Sequence, residues 1–187
     1  DQLRMLGNNP EDHEARAMLG LLYSEQGRYS EALEAYRIAT RLAPDSLSYQ
    51  NNLGNMYFRL GDNEAAVRAY EIAIKLDSSY SEAHYNLGQV YLDKQLFREA
   101  HKSFHSALKL NPQHAYANYF MGLLYARDND FSSAVVVLEK AVAGIPSFLD
   151  ARQKLAVAYL KTGQVVESKN QLKKIRELQE SQHVEID

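Results

Sequence analysis

Apolar residues in the first part of the chain recur with the spacing of two consecutive helices. The first set is Ala15, Leu19, Leu22 and Tyr23, which follow the i, i+4, i+7, i+8 spacing of one helix face. A second set with similar spacing follows between Ala32 and Leu42. The gap between the two sets is short enough only for an antiparallel pair of helices. Pro44 then ends the second helix, because proline lacks a backbone N–H and its ring clashes with the preceding turn.

This hairpin pattern returns every 34 residues. Four residue types each keep their place in the repeat: Gly20, Gly54, Gly88 and Gly122; Tyr23, Tyr57, Tyr91, Tyr125 and Tyr159; Ala32, Ala66, Ala100 and Ala134; Pro10, Pro44, Pro112 and Pro146, with Ser78 in the missing proline place. The predicted copies are residues 13–46, 47–80, 81–114, 115–148 and 149–182. Residues 1–12 are predicted to be the tail of a truncated preceding copy, and residues 183–187 a short terminal tail. One hairpin cannot bury both of its apolar faces, so neighbouring copies must stack.

The order Leu-Gly-x-x-Tyr, then alanine, an aromatic residue, alanine and proline, resembles the tetratricopeptide repeat (TPR) family. The first copy carries the motif as Leu19, Gly20, Tyr23, Ala32, Tyr36, Ala39 and Pro44. The resemblance implies an all-α fold, a right-handed TPR superhelix that is an α-solenoid of antiparallel helix hairpins. Where the family often carries tryptophan, this chain has Arg16, Gln50, His84, Asn118 and Arg152.

The fifth copy departs from the pattern. Ala156 replaces the glycine, and Ser168 and Ile175 replace two alanines. Its second helix also carries the cations Lys169, Lys173 and Arg176. A polar outer face is what a terminal capping repeat requires, so we interpret this copy as the cap.

Composition excludes several classes of protein. The 187 residues are 45% hydrophobic and 24% charged, which is typical of a folded protein. The net charge is −3 and the sequence has no basic block, so no nucleic-acid partner is expected. The apolar runs of the sequence, such as residues 135–138, are too short to insert into a membrane. Cysteine is absent, and the compartment stays open between cytoplasm and periplasm.

Motifs for catalysis or cofactor binding are missing. His101 and His105 lie one helical turn apart, but no carboxylate on the same face completes a metal site. The glycines are spaced for helix packing rather than for a phosphate-binding loop. No catalytic triad is expected in a helical-repeat fold, so the sequence predicts neither an enzyme nor a cofactor.

The resemblance also implies which side chains line the concave groove of the superhelix. These positions of the repeat hold Asn51, Asn52, Asn55, Arg59, Tyr85, Asn86, Gln89, Tyr116, Tyr119, Phe120, Leu123, Arg127, Lys154 and Lys161. The family's clamp for chaperone C-termini is absent, because Asn51, Tyr116 and Phe120 stand where its cations would be. We expect instead a protein or peptide partner that lies extended in the groove.

Two features of this set favour binding over simple exposure. Asparagine is a poor helix-interior residue, and its carboxamide pairs with any peptide backbone, so Asn52 and Asn86 resemble rungs of a ladder. The alternative is that the asparagines are merely solvated. Aromatic groove residues around Phe120 are typical binding anchors, with burial under neighbouring helices as their alternative. We expect acidic residues of the partner near Lys154.

Other roles stay open from the sequence. Helical phase buries Val135 but turns Val136 or Val137 outward, which would suit a self-association contact in a homo-oligomer. A scattered surface valine is the alternative. The chain would also serve as the TPR arm of a larger enzyme or of a secretion or assembly protein.

Overall fold

The computed structural model describes residues 12–184, with side chains as far as residue 181. The predicted tail at 1–12, apart from Asp12, lies outside the described residues, as do residues 185–187. Within the described part of the chain there are ten helices and no strand, which confirms the all-α fold class. The helices are α1 (His13–Glu25), α2 (Tyr29–Leu42), α3 (Leu47–Arg59), α4 (Asn63–Leu76), α5 (Ser81–Asp93), α6 (Phe97–Leu110), α7 (Ala115–Arg127), α8 (Phe131–Gly144), α9 (Leu149–Lys161) and α10 (Val165–Val184).

The two helices of every hairpin are joined through a residue in the left-handed conformation. These residues recur at the 34-residue spacing: Gly27 (φ 73°), Gly61 (φ 82°), Gln95 (φ 57°), Asn129 (φ 61°) and Gly163 (φ 79°). The N–H of the following residue donates to the carbonyl of the repeated tyrosine, as from Arg28 to Tyr23 at 2.9 Å. This bond satisfies a carbonyl at the helix end. Glycine adopts this conformation without a Cβ clash, whereas Gln95 and Asn129 adopt it at a cost.

Four polar side chains close the turns between successive hairpins. Each contacts the backbone carbonyl six residues earlier: Gln50 Nε2 to Pro44 O (3.4 Å), His84 Nε2 to Ser78 O (3.0 Å), Asn118 Nδ2 to Pro112 O (3.0 Å) and Arg152 Nε to Pro146 O (2.8 Å). These are the positions where the TPR motif often has tryptophan. The polar residues here therefore pair with backbone carbonyls of the turns between hairpins.

The repeated glycines let large side chains of the second helix press against the first. A Cβ on Gly54 would lie 2.6 Å from Tyr70 Cε1, and one on Gly122 would lie 2.5 Å from Leu138 Cγ. In the fifth repeat the residue in the place of Tyr70 is Leu172, which is 53% exposed. The alanine that replaces glycine there, Ala156, has no buried ring to meet at that register.

The chain divides into two compact units, Asp1–Ser103 and Phe104–Asp187. Within the first unit, Tyr36 of α2 packs with Leu53 and Met56 of α3, and Tyr70 of α4 packs with Leu87 and Val90 of α5. Within the second unit, Ala134, Leu138 and Val142 of α8 pack with Leu155 and Ala158 of α9. In each case a second helix covers the first helix of the next hairpin. Each such buried large side chain contributes roughly 1.5–3 kcal/mol.

Candidate functional site

The predicted asparagines of the first unit lie on the adjacent first helices α3 and α5. Asn51 and Asn86 are buried, with 4% and 7% of their surface exposed. Asn86 Nδ2 donates to Asn51 Oδ1 at 3.0 Å. The hydrogen bond thus joins two consecutive repeats, and each carboxamide helps to compensate the other for its burial. Asn52, and not Asn51, is the residue 34 positions before Asn86. The hydrogen bond therefore joins residues at two different registers of the repeat.

Two further asparagines bind tyrosine hydroxyls of second helices. Tyr70 donates its hydroxyl to Asn55 Oδ1 at 2.7 Å. Burial raises the pKa of Tyr36 to about 12, the carboxylate of Glu25 adds to that rise, and a hydrogen bond with Asn52 opposes it. Burial also raises the pKa of Tyr70. Asn52 and Asn55 are both half-buried residues.

The remaining predicted residues of this unit differ in exposure. Tyr85 is buried, Gln89 is half-buried, and Arg59 is exposed with its guanidinium 6.0 Å from the Tyr29 ring centroid. The first repeat adds Met18 and Leu21 on α1, which are 48% and 46% exposed. Both have the register of Asn52 and Asn55. The 34-residue columns could have identified them, but the sequence-based set leaves them out.

Aromatic side chains of the second unit form a row of touching rings. Tyr116 meets the edge of Phe148 at 5.2 Å between centroids, and Tyr119 lies 4.7 Å from Phe148. Tyr119 also meets Phe120 at 5.3 Å, and Phe120 stacks on Phe104 at 5.4 Å. Tyr116 is 47% exposed, whereas Tyr119 and Phe120 are half-buried. Burial raises the pKa of Tyr119, and the Asp150 carboxylate adds to the rise. The row therefore has a buried base and an accessible end at Tyr116.

Helix α9 presents cations and apolar side chains together. Lys154 and Lys161 are exposed. Val157 and Leu160, between them in sequence, are 51% and 59% exposed. Arg127, the third predicted cation of this unit, donates to Asp128 Oδ1 at 2.7 Å. Arg127 therefore has a carboxylate partner in the structure, and its role in the groove stays a prediction.

Three residues of this second surface are absent from the sequence-based set. Val157 has the register of Leu123, which is half-buried in the structure, and Leu160 has a groove register as well. The repeat columns could have identified both. Phe148 immediately precedes α9, at a position outside the groove registers. Only the packing reveals that its ring lies between Tyr116 and Tyr119.

Comparison with known families agrees with the repeat pattern. Sequence models described as TPR repeat match residues 20–61 and 54–95. Models described as tetratricopeptide repeat match residues 85–148 and 125–183. The chain belongs to the TPR family. A comparison with curated protein sequences gave no significant match.

Solved structures of other TPR proteins share the fold. The crystal structure of MamA is 26% identical with a TM-score of 0.75, covering 88% of this chain and 96% of that one. YrrB, described as a TPR protein with an unusual peptide-binding site, is 20% identical with a TM-score of 0.69, covering 95% and 92%. Pseudomonas aeruginosa pilF is 19% identical with a TM-score of 0.80, covering 88% and 75%. The last two identities are low enough that they show the fold alone.

Family membership makes this TPR protein a protein-interaction scaffold, and TPR repeats are generally non-catalytic. In the described residues, no three histidine, aspartate or glutamate side chains are grouped closely enough to hold a metal ion. His101 is half-buried and His105 is exposed. None of the described helices is both long and apolar enough to cross a bilayer.

The outer face of α8 follows the predicted helical phase. Val135 is buried, Val136 is 53% exposed, and Val137 is half-buried. The self-association role of Val136 and Val137 in this TPR protein stays a prediction.

Proposed function

We propose that this protein binds an extended segment of a partner protein along the first helices of its repeats, in the groove that the TPR resemblance implies. The observation that carries the proposal is the surface of the second unit. Tyr116 is an exposed aromatic residue whose ring contacts the Phe148 ring in an edge arrangement. Val157 and Leu160 expose further apolar surface on α9, where Lys154 and Lys161 are also exposed.

A rigid, partly exposed aromatic residue is the usual form of a binding anchor, because it loses little conformational entropy when a partner covers it. Tyr116 meets this description, since its ring is held by edge contact with Phe148. Lys154 and Lys161 then favour a partner segment that carries carboxylates beside its apolar anchor. Like-charged segments would be disfavoured by the same two cations.

The first unit supports binding of the partner's main chain. Asn52, Asn55 and Gln89 are half-buried carboxamides on neighbouring first helices, each with donor and acceptor groups that a peptide backbone matches. Asn51 and Asn86 hold each other through their 3.0 Å hydrogen bond, which supports a positioning role for them within the predicted set. The peptide-binding site ascribed to YrrB, which has the same fold, is consistent with a peptide occupant.

Selection of random 12-residue peptides against this protein tests the proposal, with affinities then measured by fluorescence anisotropy. Selected peptides should combine an aromatic or aliphatic anchor with acidic residues. Tyr116→Ala should weaken their binding about tenfold, equivalent to about 1.4 kcal/mol. Asn52→Ala should weaken binding without changing the preferred anchor. Val136→Lys serves as the matched control, since Val136 lies on a second helix and outside the groove registers. Peptides that bind the Tyr116 and Asn52 variants as tightly as the wild type would place the site elsewhere.

A second candidate function is self-association through α8, favoured by the 53% exposure of Val136. Analytical ultracentrifugation of the wild type and a Val136→Lys, Val137→Lys variant tests it. A wild-type mass above that of the monomer that falls in the variant supports the contact. An equal mass for both rejects it.

A further inference from the structure

Helix α10 carries an exposed stripe that the groove does not use. Val165, Lys169, Leu172 and Arg176 follow the i, i+4, i+7, i+11 spacing of one helix face, and all four are exposed. Leu172 is 53% exposed and Val165 is 45% exposed. We name these four residues the α10 stripe. The helix has 20 residues, whereas the other second helices have 14.

Equivalent faces of earlier second helices are already covered by a helix. In α8 the corresponding residues are Phe131, Val135, Leu138 and Val142, which pack in one cluster with Leu155 and Ala158 of α9. The α10 stripe therefore lies at a register where this fold packs one helix onto another. Its shape suits a helical partner.

The chemistry of the α10 stripe nevertheless differs from that of the covered faces. Lys169 stands where α2, α4 and α8 have Leu33, Val67 and Val135, and Arg176 stands where they have Thr40, Ile74 and Val142. Covering two cations with an apolar helix would leave buried charges unpaired, which strongly disfavours such a partner. Neither cation has an ion pair with a described residue, and nearby Glu177 is paired with Lys174 at 2.9 Å. A partner that covers the stripe therefore has to supply carboxylates.

The first repeat of the same chain presents such a surface. Glu14, Met18, Leu21 and Glu25 on α1 have the same i, i+4, i+7, i+11 spacing and are all exposed. We name these four residues the α1 stripe. Met18 and Leu21 form its apolar centre, at 48% and 46% exposure. No ion pair joins Glu14 or Glu25 to another described residue. The two stripes therefore have the same spacing and opposite charges, and Leu172 is an exposed apolar residue near the centre of the α10 stripe as Met18 and Leu21 are in the α1 stripe.

We propose that the occupant of the α10 stripe is the α1 stripe of a second copy of this chain. Leu172 packs against Met18 and Leu21 of the neighbouring copy, while Lys169 and Arg176 pair with Glu14 and Glu25. Each copy then offers one donor and one acceptor surface, so the contact is heterologous and passes from copy to copy. It differs from the α8 self-association candidate, because it uses neither Val136 nor Val137.

Sedimentation equilibrium over a range of concentrations tests the contact on the full chain. We expect a mass that rises with protein concentration and that falls when ionic strength is raised, because salt screens exposed charge pairs. The variant Lys169→Glu, Arg176→Glu should shift the association to at least about tenfold higher concentration, and Glu14→Lys, Glu25→Lys should do the same. These side chains are exposed, so circular dichroism of both variants should match the wild type.

Mixing the two variants gives the decisive result. Each variant alone brings like charges together, whereas the mixture restores opposite charges between copies and should restore association. Lys102→Glu, Lys109→Glu is the matched control, since it makes the same charge change at the same seven-residue spacing on exposed residues of α6 and should leave association intact. A wild type that stays monomeric at low salt overturns the proposal. So does association that survives both charge reversals, or a mixture that stays monomeric. A mass that only Val136→Lys lowers assigns the contact to α8 instead.

Discussion

Replacement of Gly54 by alanine tests the packing that holds each hairpin together. A Cβ at this position would lie 2.6 Å from Tyr70 Cε1 and 2.8 Å from Tyr70 Cδ1. Carbon atoms in good contact are about 3.5–4.0 Å apart, so the ring must move by about 1 Å. Tyr70 is 1% exposed, and its hydroxyl is held by Asn55. The close-packed interior leaves the ring little space to move into.

Two opposing effects determine the net change in the free energy of unfolding. Overpacking in a core costs about 1–3 kcal/mol. Alanine in turn stabilises the helix by about 1 kcal/mol, because it is a better helix former than glycine. We therefore expect Gly54→Ala to destabilise the protein by about 0–2 kcal/mol, measured as a lower urea midpoint at an unchanged slope. In a Tyr70→Ala background the clash is gone, so the same substitution should instead stabilise by up to about 1 kcal/mol.

Ala156 offers a matched control within the chain. It has the register of Gly54, but the residue in the place of Tyr70 is Leu172, 53% exposed. Ala156→Gly should therefore lose about 1 kcal/mol of stability through helix propensity. The preference between glycine and alanine should thus have opposite signs at the two positions. If Gly54→Ala stabilises the wild type as much as Ala156→Gly destabilises it, ring contact is not why glycine stands at position 54.

Three further predictions concern single side chains, each measured by urea or thermal unfolding. Gln95→Gly should stabilise the protein by about 0.5–1 kcal/mol, because it relieves a left-handed residue with φ of 57°; lower stability would show that the Gln95 side chain makes a compensating contact. Asn118→Ala should lower the free energy of unfolding by about 1–3 kcal/mol, because Asn118 donates to the Pro112 carbonyl. Asn118→Asp should lower it further, because a carboxylate would then face that carbonyl. An Asp variant as stable as the Ala variant would contradict this. The pKa of Tyr36 is raised from 10.0 to about 12 in the folded protein. The contribution of Tyr36 to the free energy of unfolding is therefore complete below pH 10 and is lost as the pH rises from 10 to 12. Tyr36→Phe should make that fall in stability shallower, and an unchanged slope would reject the assignment.

Much of the local structure was predictable from the 34-residue columns. The columns place a left-handed glycine at the turn of three hairpins, and the same register explains Gln95 and Asn129 in the other two. They also indicate which side chains face inward, so the burial of Val135 and the exposure of Val136 follow from helical phase. Val157 and Leu160, which the sequence-based set leaves out, could also have been predicted, because they share a register with groove positions of earlier repeats.

The candidate site was less predictable because its contacts join different helices. Periodicity gives the direction of a side chain around its own helix. It does not give the position along the neighbouring helix that the side chain contacts. For this reason the sequence places Asn52 and Asn86 at one register but does not reveal that Asn86 donates a hydrogen bond to Asn51. Phe148 was overlooked for the same reason, since it precedes α9 and reaches the aromatic row across a turn.

The repeating hairpin can be predicted from residue spacing alone, because regularly spaced apolar and small residues encode both helical phase and turn position. Which polar side chains already have hydrogen-bond partners becomes clear only when the helices are packed together. Gln50, His84, Asn118 and Arg152 look alike as unusual polar residues in the repeat, yet all four bind turn carbonyls. Lys169 and Arg176 occupy registers that are apolar in α4 and α8, but they have no ion-pair partner in the described part of the chain. The difference depends on distances between elements, which a one-dimensional pattern does not contain.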